Sequence, residues 1–157
     1  MDSGLIQRLG TYLSAAAVVL SLIFVGLEIR NNTVAARGAT MQAISDANTT
    51  FFLTISLDKE FAELVVRIFD GERKADFSPV ENQQLIQNIG AFMRGLENTY
   101  LQHREGLVPD AVFESYGWND GITRTPYFRD YWEQNASGMV GSEFMQFFES
   151  RKQIGPD

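Results

Sequence analysis

The longest apolar run of the chain lies near its N-terminus, where residues 9–27 (LGTYLSAAAVVLSLIFVGL) include no charged side chain. In an α-helix, 19 residues span roughly 28 Å, close to the roughly 30 Å hydrocarbon core of a bilayer. Arg8 precedes the run, and Glu28 and Arg30 follow it. The pattern therefore predicts a transmembrane helix, and the lipid bilayer is its first expected partner.

Two other interpretations of this run are a cleaved signal peptide and a buried core helix. A signal peptide has a shorter apolar core with a small-residue cleavage site close behind it, whereas Glu-Ile-Arg occupies positions 28–30 here. For a buried helix of a soluble core, 19 uncharged residues is long. Length and flanking charges favour the membrane interpretation.

Small residues recur along one side of this predicted helix at spacings of four, three and four. They are Gly10, Ser14, Ala17 and Ser21, called the seam below. Small side chains let two helix backbones approach closely, and the resulting van der Waals contact drives helix association in lipid. The alternative is that a lone anchor simply tolerates alanine and serine.

Beyond the apolar run, helical spacing continues into the polar part of the chain. Gly38 is the only helix breaker between positions 30 and 56, and the apolar residues there follow helical spacing. We therefore expect one helix from about position 7 to position 54, interrupted at residues 57–58. Residues 1–30 are predicted as the tail and membrane helix, and residues 31–157 as a helical soluble domain.

Residues typical of helix starts and helix ends predict further helices in that domain. Ser78, Pro79 and Glu81 form a capping-box signal for a helix ending near Arg104, with Gly106 beyond it. Shorter helices are expected over residues 61–68 with Gly71 as its stop, over 110–116, after Thr125-Pro126, and after a cap at Ser142 with Glu143. The core face of the capped helix is predicted as Leu85, Ile89, Phe92, Leu96 and Tyr100. Nine aromatic rings between positions 116 and 148 are expected to form core and subunit contacts rather than a cofactor site.

Strand signals are nearly absent, since no stretch alternates cleanly between apolar and polar residues. The predicted fold class is all-α: one N-terminal transmembrane helix, continuous with the first soluble helix, followed by a small helical bundle.

Charge and cysteine content narrow the function classes. Residues 31–157 hold 11 basic and 18 acidic side chains, a net charge of −7. So acidic a domain repels a phosphate backbone, which argues against nucleic acid as a partner. The chain has no cysteine, which removes disulfides, thiolate catalysis and thiolate metal sites.

Candidate chemistry is sparse. His103 is the only histidine, so zinc would need carboxylates alone to complete its ligands. Glu97 sits beside the apolar stripe and needs a partner if buried, which Arg94 or Arg129 could supply. We expect a structural polar cluster or a ligand contact among Arg94, Glu97, Asn98, His103, Arg129 and Trp132. With no catalytic motif recognised, we expect no cofactor and no enzymatic activity.

Four stretches of the sequence resemble a loose group of uncharacterised bacterial proteins of similar length. They are VVLSLIFVGLEIRNNT at 18–33, FMRGLENTYLQHREGL at 92–107, TPYFRDYW at 125–132 and SEFMQFF at 142–148. The resemblance implies one N-terminal membrane helix, a small helical domain and a bacterial inner-membrane setting. It implies no activity, substrate or cofactor.

The favoured hypothesis is a non-enzymatic single-pass membrane protein whose helical domain mediates protein association, as a homo-oligomer or as a subunit of a membrane complex. The alternatives are a membrane-tethered module that binds a small ligand or lipid beneath the Glu97–Trp132 region, an enzyme using Glu97, His103 or nearby carboxylates, and a homo-oligomeric pore built on the seam. Arg30 and Arg37 after the run, against Arg8 before it, favour a cytoplasmic C-terminal domain.

Overall fold

The computed structural model describes residues 3–116, 118 and 121–152. Within these ranges the chain forms six α-helices and two 3₁₀ turns, and no β-strand. The helices are α1 Ser3–Leu57, α2 Lys59–Phe69, α3 Pro79–Arg104, α4 Asp110–Glu114, α5 Pro126–Met139 and α6 Ser142–Lys152; the 3₁₀ turns are Lys74–Asp76 and Gly121–Arg124. The all-α prediction is confirmed, and so is a single first helix ending at the predicted break. The chain divides into two compact units, Met1–Ala39 and Thr40–Asp157.

In the first unit, every side chain from Gly10 to Ala39 is exposed. This helix is long and apolar enough to cross a membrane, and its most apolar window is 0% buried. A helix in a soluble core buries such a window, so the buried-core interpretation does not fit.

The second unit shows why its helices begin where they do. Asp58 accepts a hydrogen bond from the N–H of Phe61 at the start of α2. At the start of α3, Ser78 accepts from the N–H of Glu81 while the Glu81 carboxylate accepts from the N–H of Ser78 at 2.7 Å. This is the predicted capping box, which satisfies two donors that a helix leaves unpaired.

Two helices of the second unit end in the same way. The N–H of Glu72 bonds the carbonyl of Arg67 at the end of α2, and the N–H of Leu107 bonds that of Gln102 at the end of α3. In both motifs the intervening glycine, Gly71 or Gly106, has a positive φ, of 96° and 71°. A left-handed residue at this position costs glycine little, which explains both predicted stops.

The core of the second unit is largely aromatic. Tyr127, Phe128 and Tyr131 on α5 are fully buried together with Phe144 and Phe148 on α6. Phe128 contacts Tyr131 and Phe148, and Phe148 contacts Phe144, each with ring centroids 6.0 Å apart, while Tyr127 packs on Phe77 at 5.1 Å. The expectation that the C-terminal rings form core is met for these five and for Trp118 and Trp132, which are also buried, while Tyr116 and Phe147 are partly buried against the core.

Three details of the expected helices are corrected. Phe92 and Tyr100 are only half-buried, whereas Met93 is fully buried, because α3 turns residue 93 toward the aromatic core. The fourth helix stops at Glu114. Ser142 does not cap α6 but is its first helical residue, and the Gly141 carbonyl accepts from the N–H of Met145.

Candidate functional site

Glu97 is a buried carboxylate with two partners. Its side chain is 12% exposed, and one oxygen accepts a hydrogen bond from Arg94 at 3.1 Å. The other oxygen accepts from the backbone N–H of Gly141 at 2.6 Å. A buried carboxylate is tolerated when it is paired in this way, so Glu97 joins α3 to the residue that precedes α6.

His103 lies in the last turn of α3, in a different environment. Its Nε2 is 3.0 Å from a carboxylate oxygen of Asp110, and its ring stacks on Phe113 with centroids 3.9 Å apart. Among the residues that the structure describes, no three histidine, aspartate or glutamate side chains are grouped so that they could hold a metal ion. The contacts of His103 tie α3 to α4.

The remaining candidates have other neighbours again. The indole N–H of Trp132 donates to Glu149, and its ring packs on Phe148 at 4.8 Å. Asn98 and Arg129 are both exposed. The structure therefore brings Arg94 and Glu97 together and places the other four elsewhere on the second unit.

The surface beside Arg94 is an open groove of about 650 Å³ with polar walls. Its walls include Gln87 and Arg94 of α3 and Asn135 and Ser137 of α5. The alternative of a small ligand or lipid bound beneath the Glu97–Trp132 region stays a prediction.

The seam of the first unit is exposed along its whole length. A Cβ added to Gly10 meets nothing within 4 Å. The hydroxyl of Ser21 donates to the carbonyl of Ala17 at 2.9 Å, so its polar group is satisfied within the helix. A satisfied hydroxyl does not penalise contact with lipid or with another helix.

A cavity that the sequence pattern did not predict lies between α1, α2 and α3. It has a volume of about 260 Å³, and we call it the α1–α2–α3 pocket. Phe51 and Phe92 stack in its wall with centroids 5.8 Å apart, while Phe52 and Phe69 line it yet remain 60% and 56% exposed. Its described lining is Phe51, Phe52, Ile55, Phe61, Val65, Phe69, Leu85, Asn88, Ile89, Phe92, Gly121 and Ile122.

The carboxylates with lowered pKa values lie in structural contacts. A hydrogen bond from Arg73 lowers the pKa of Asp130, and one from Arg151 lowers that of Glu114. Burial raises the pKa of Tyr127 and of Tyr131 to about 12. Each shift follows from packing or pairing that also stabilises the fold, so none of them singles out a catalytic group.

Comparison with known proteins adds nothing to the functional evidence from the described residues. No family model, no curated protein and no solved structure matches the chain.

Proposed function

We propose that this chain is a non-enzymatic single-pass membrane protein whose helices mediate protein association. It assembles either with further copies of itself or as an accessory subunit of a larger membrane complex. The proposed setting is a bacterial inner membrane, with the second unit in the cytoplasm.

The observation that carries this proposal is the exposed seam on an uncharged helix. In hydrocarbon there is no hydrophobic force between helices, so close backbone approach at small residues is what favours association. Gly10, Ser14, Ala17 and Ser21 offer such a surface, and nothing in the described chain covers it.

The second unit supports the non-enzymatic part of the proposal. Its best candidate groups, Glu97 and His103, each contact a neighbouring element of the fold. A general base needs access to the proton that it removes. Both carboxylate oxygens of Glu97 already accept hydrogen bonds, one from Arg94 and one from the N–H of Gly141.

Affinity purification of the tagged full-length protein from its native membranes tests the proposal. A companion at fixed stoichiometry supports the accessory-subunit form, and a particle whose protein mass is a multiple of 17.7 kDa supports the self-assembled form. Membranes that contain the untagged protein are processed in parallel as a control, and proteins recovered from them are discounted because they bind the resin itself. A single copy without any companion, under mild solubilisation, contradicts the proposal.

A further inference from the structure

We propose that the α1–α2–α3 pocket binds one unbranched hydrocarbon chain with an uncharged end, such as a free medium-chain alcohol. The inference concerns the second unit alone and does not depend on the association proposed above. Three properties of the pocket carry it: the chemistry of its walls, its volume and the exposure of its rim.

The walls select an apolar, uncharged ligand. Among the described residues that line the pocket, Asn88 is the only one with a polar side chain, and none is charged. An ionised carboxylate or ammonium group entering it would lose its hydration without gaining a partner. The Asn88 amide already donates to the Gln84 carbonyl at 2.9 Å, and its oxygen can accept a hydrogen bond from a hydroxyl.

The volume of the α1–α2–α3 pocket suits a single hydrocarbon chain. At about 260 Å³ the pocket lies just under the roughly 300 Å³ at which small-molecule sites begin. One turn of a partner helix, roughly 10 Å wide and 5.4 Å tall, fills roughly 400 Å³, so the backbone of such a helix stays outside the pocket. A two-chain phospholipid would have to leave one of its chains outside.

Exposed aromatic rings at the rim of the pocket favour its occupation by an apolar ligand. Phe52 and Phe69 line it from α1 and α2 and keep more than half of their surface in contact with solvent. Ring surface exposed beside a concave apolar site is typical of a binding site, because a bound ligand removes both surfaces from water.

Photolabelling of the full-length protein in phosphatidylcholine nanodiscs tests the inference. The probe is a ten-carbon primary alcohol with a diazirine in mid-chain, and labelled peptides are mapped by mass spectrometry. We expect labels on α2 and on the 85–92 segment of α3. Labels on residues 10–27, from probe dissolved in the bilayer, provide an internal reference.

Matched variants separate pocket binding from general adhesion. Val65→Trp fills the pocket from α2 and should lower the α2 and α3 labels at least tenfold relative to the reference. Val80→Trp makes the same exchange at a position that is 71% exposed and outside the lining, and should leave all labels unchanged. Ile122→Trp fills the pocket from a different element, so the test stands if Val65→Trp fails to fold.

A second probe tests whether the bound hydrocarbon chain belongs to a free alcohol or to a membrane phospholipid. Phosphatidylcholine with the same diazirine in one acyl chain should label residues 10–27 and spare the pocket. Pocket labels from this lipid would overturn the single-chain assignment. The absence of pocket labels from the alcohol, or labels that persist in both filled variants, would overturn the site.

Discussion

Glu97 on α3 accepts a hydrogen bond of 2.6 Å from the backbone N–H of Gly141. A Cβ built on Gly141 would lie 3.0 Å from that carboxylate oxygen, so this close approach favours glycine at position 141. On the other side, Arg94 donates to the second oxygen while its own side chain stays 61% exposed. One buried carboxylate thus links the middle of α3 to the start of α6.

Replacement of Glu97 by alanine is predicted to lower the free energy of unfolding by about 2 kcal/mol, because the N–H of Gly141 loses its acceptor in a partly buried place. Urea unfolding of the full-length protein in detergent, followed through the buried indoles of Trp118 and Trp132, measures this. Glu63→Ala is the control: Glu63 is 66% exposed and 3.6 Å from Lys59, so its loss should change the value by no more than about 0.5 kcal/mol. Equal effects of the two variants would contradict the role assigned to Glu97.

Acid should destabilise the second unit through carboxylates whose pKa values are lowered by folding. The backbone N–H of Ser78 lowers the pKa of Glu81 below its ordinary 4.5, as Arg151 does for Glu114 and Arg73 for Asp130. Because the folded pKa lies below the unfolded one, the contribution is complete above the unfolded value and is lost as the pH falls through the folded value. Urea midpoints should therefore be flat between about pH 6 and 8 and fall below about pH 4.5.

Glu81→Gln provides the check on this pH dependence. The amide keeps an oxygen for the Ser78 N–H but cannot titrate, so the decrease on acidification should be smaller than in the wild type. If the urea midpoint of Glu81→Gln fell with acid as steeply as that of the wild type, Glu81 would not contribute to the acid sensitivity.

Alkali should reveal two tyrosines that ionise late. Burial raises the pKa of Tyr127 and Tyr131 to about 12 from an ordinary 10.0, and the Tyr127 hydroxyl donates to Asn82 at 2.9 Å. The raised folded value means that this stabilisation is complete below about pH 10 and is lost as the pH rises toward 12. Ultraviolet difference titration should show a delayed phase worth two of the five tyrosines. Tyr127→Phe should halve that phase, and a single phase near pH 10 in folded protein would refute the prediction.

The orientation across the membrane is testable because the chain has no native cysteine. Ser137 is exposed on α5, and Ser137→Cys introduces one thiol into the second unit. A cytoplasmic second unit predicts that a membrane-impermeant maleimide labels this thiol only after spheroplasts are permeabilised. Labelling of sealed spheroplasts would place the second unit on the opposite side.

The elements that the sequence predicted best are those governed by local chemistry. The capping box at Ser78 and the glycine stops at Gly71 and Gly106 depend on residues within one turn, so spacing alone was enough. The continuity of α1 followed from the absence of a strong breaker before residue 57.

Features that depend on packing were harder to predict. Residues 92 and 93 both fit helical spacing from Ile89, and only the assembled core shows that Met93 is the one fully buried. The partner of Glu97 is a backbone N–H, a donor that almost every residue carries and that sequence therefore cannot distinguish. The α1–α2–α3 pocket is a gap between three helices, and no single helix pattern encodes it.

The most direct measurement is the protein mass of the detergent-solubilised full-length chain, by light scattering, for wild type and two matched variants. Two residues turn a helix by about 200°, so Ala15 lies nearly opposite Ala17 and makes Ala15→Leu the control for Ala17→Leu. If the protein assembles with itself through the seam, wild type and Ala15→Leu give a multiple of 17.7 kDa, and Ala17→Leu gives one copy. An assembled mass that Ala17→Leu leaves unchanged would contradict the seam, and a wild type of one copy with no companion from native membranes would contradict association itself.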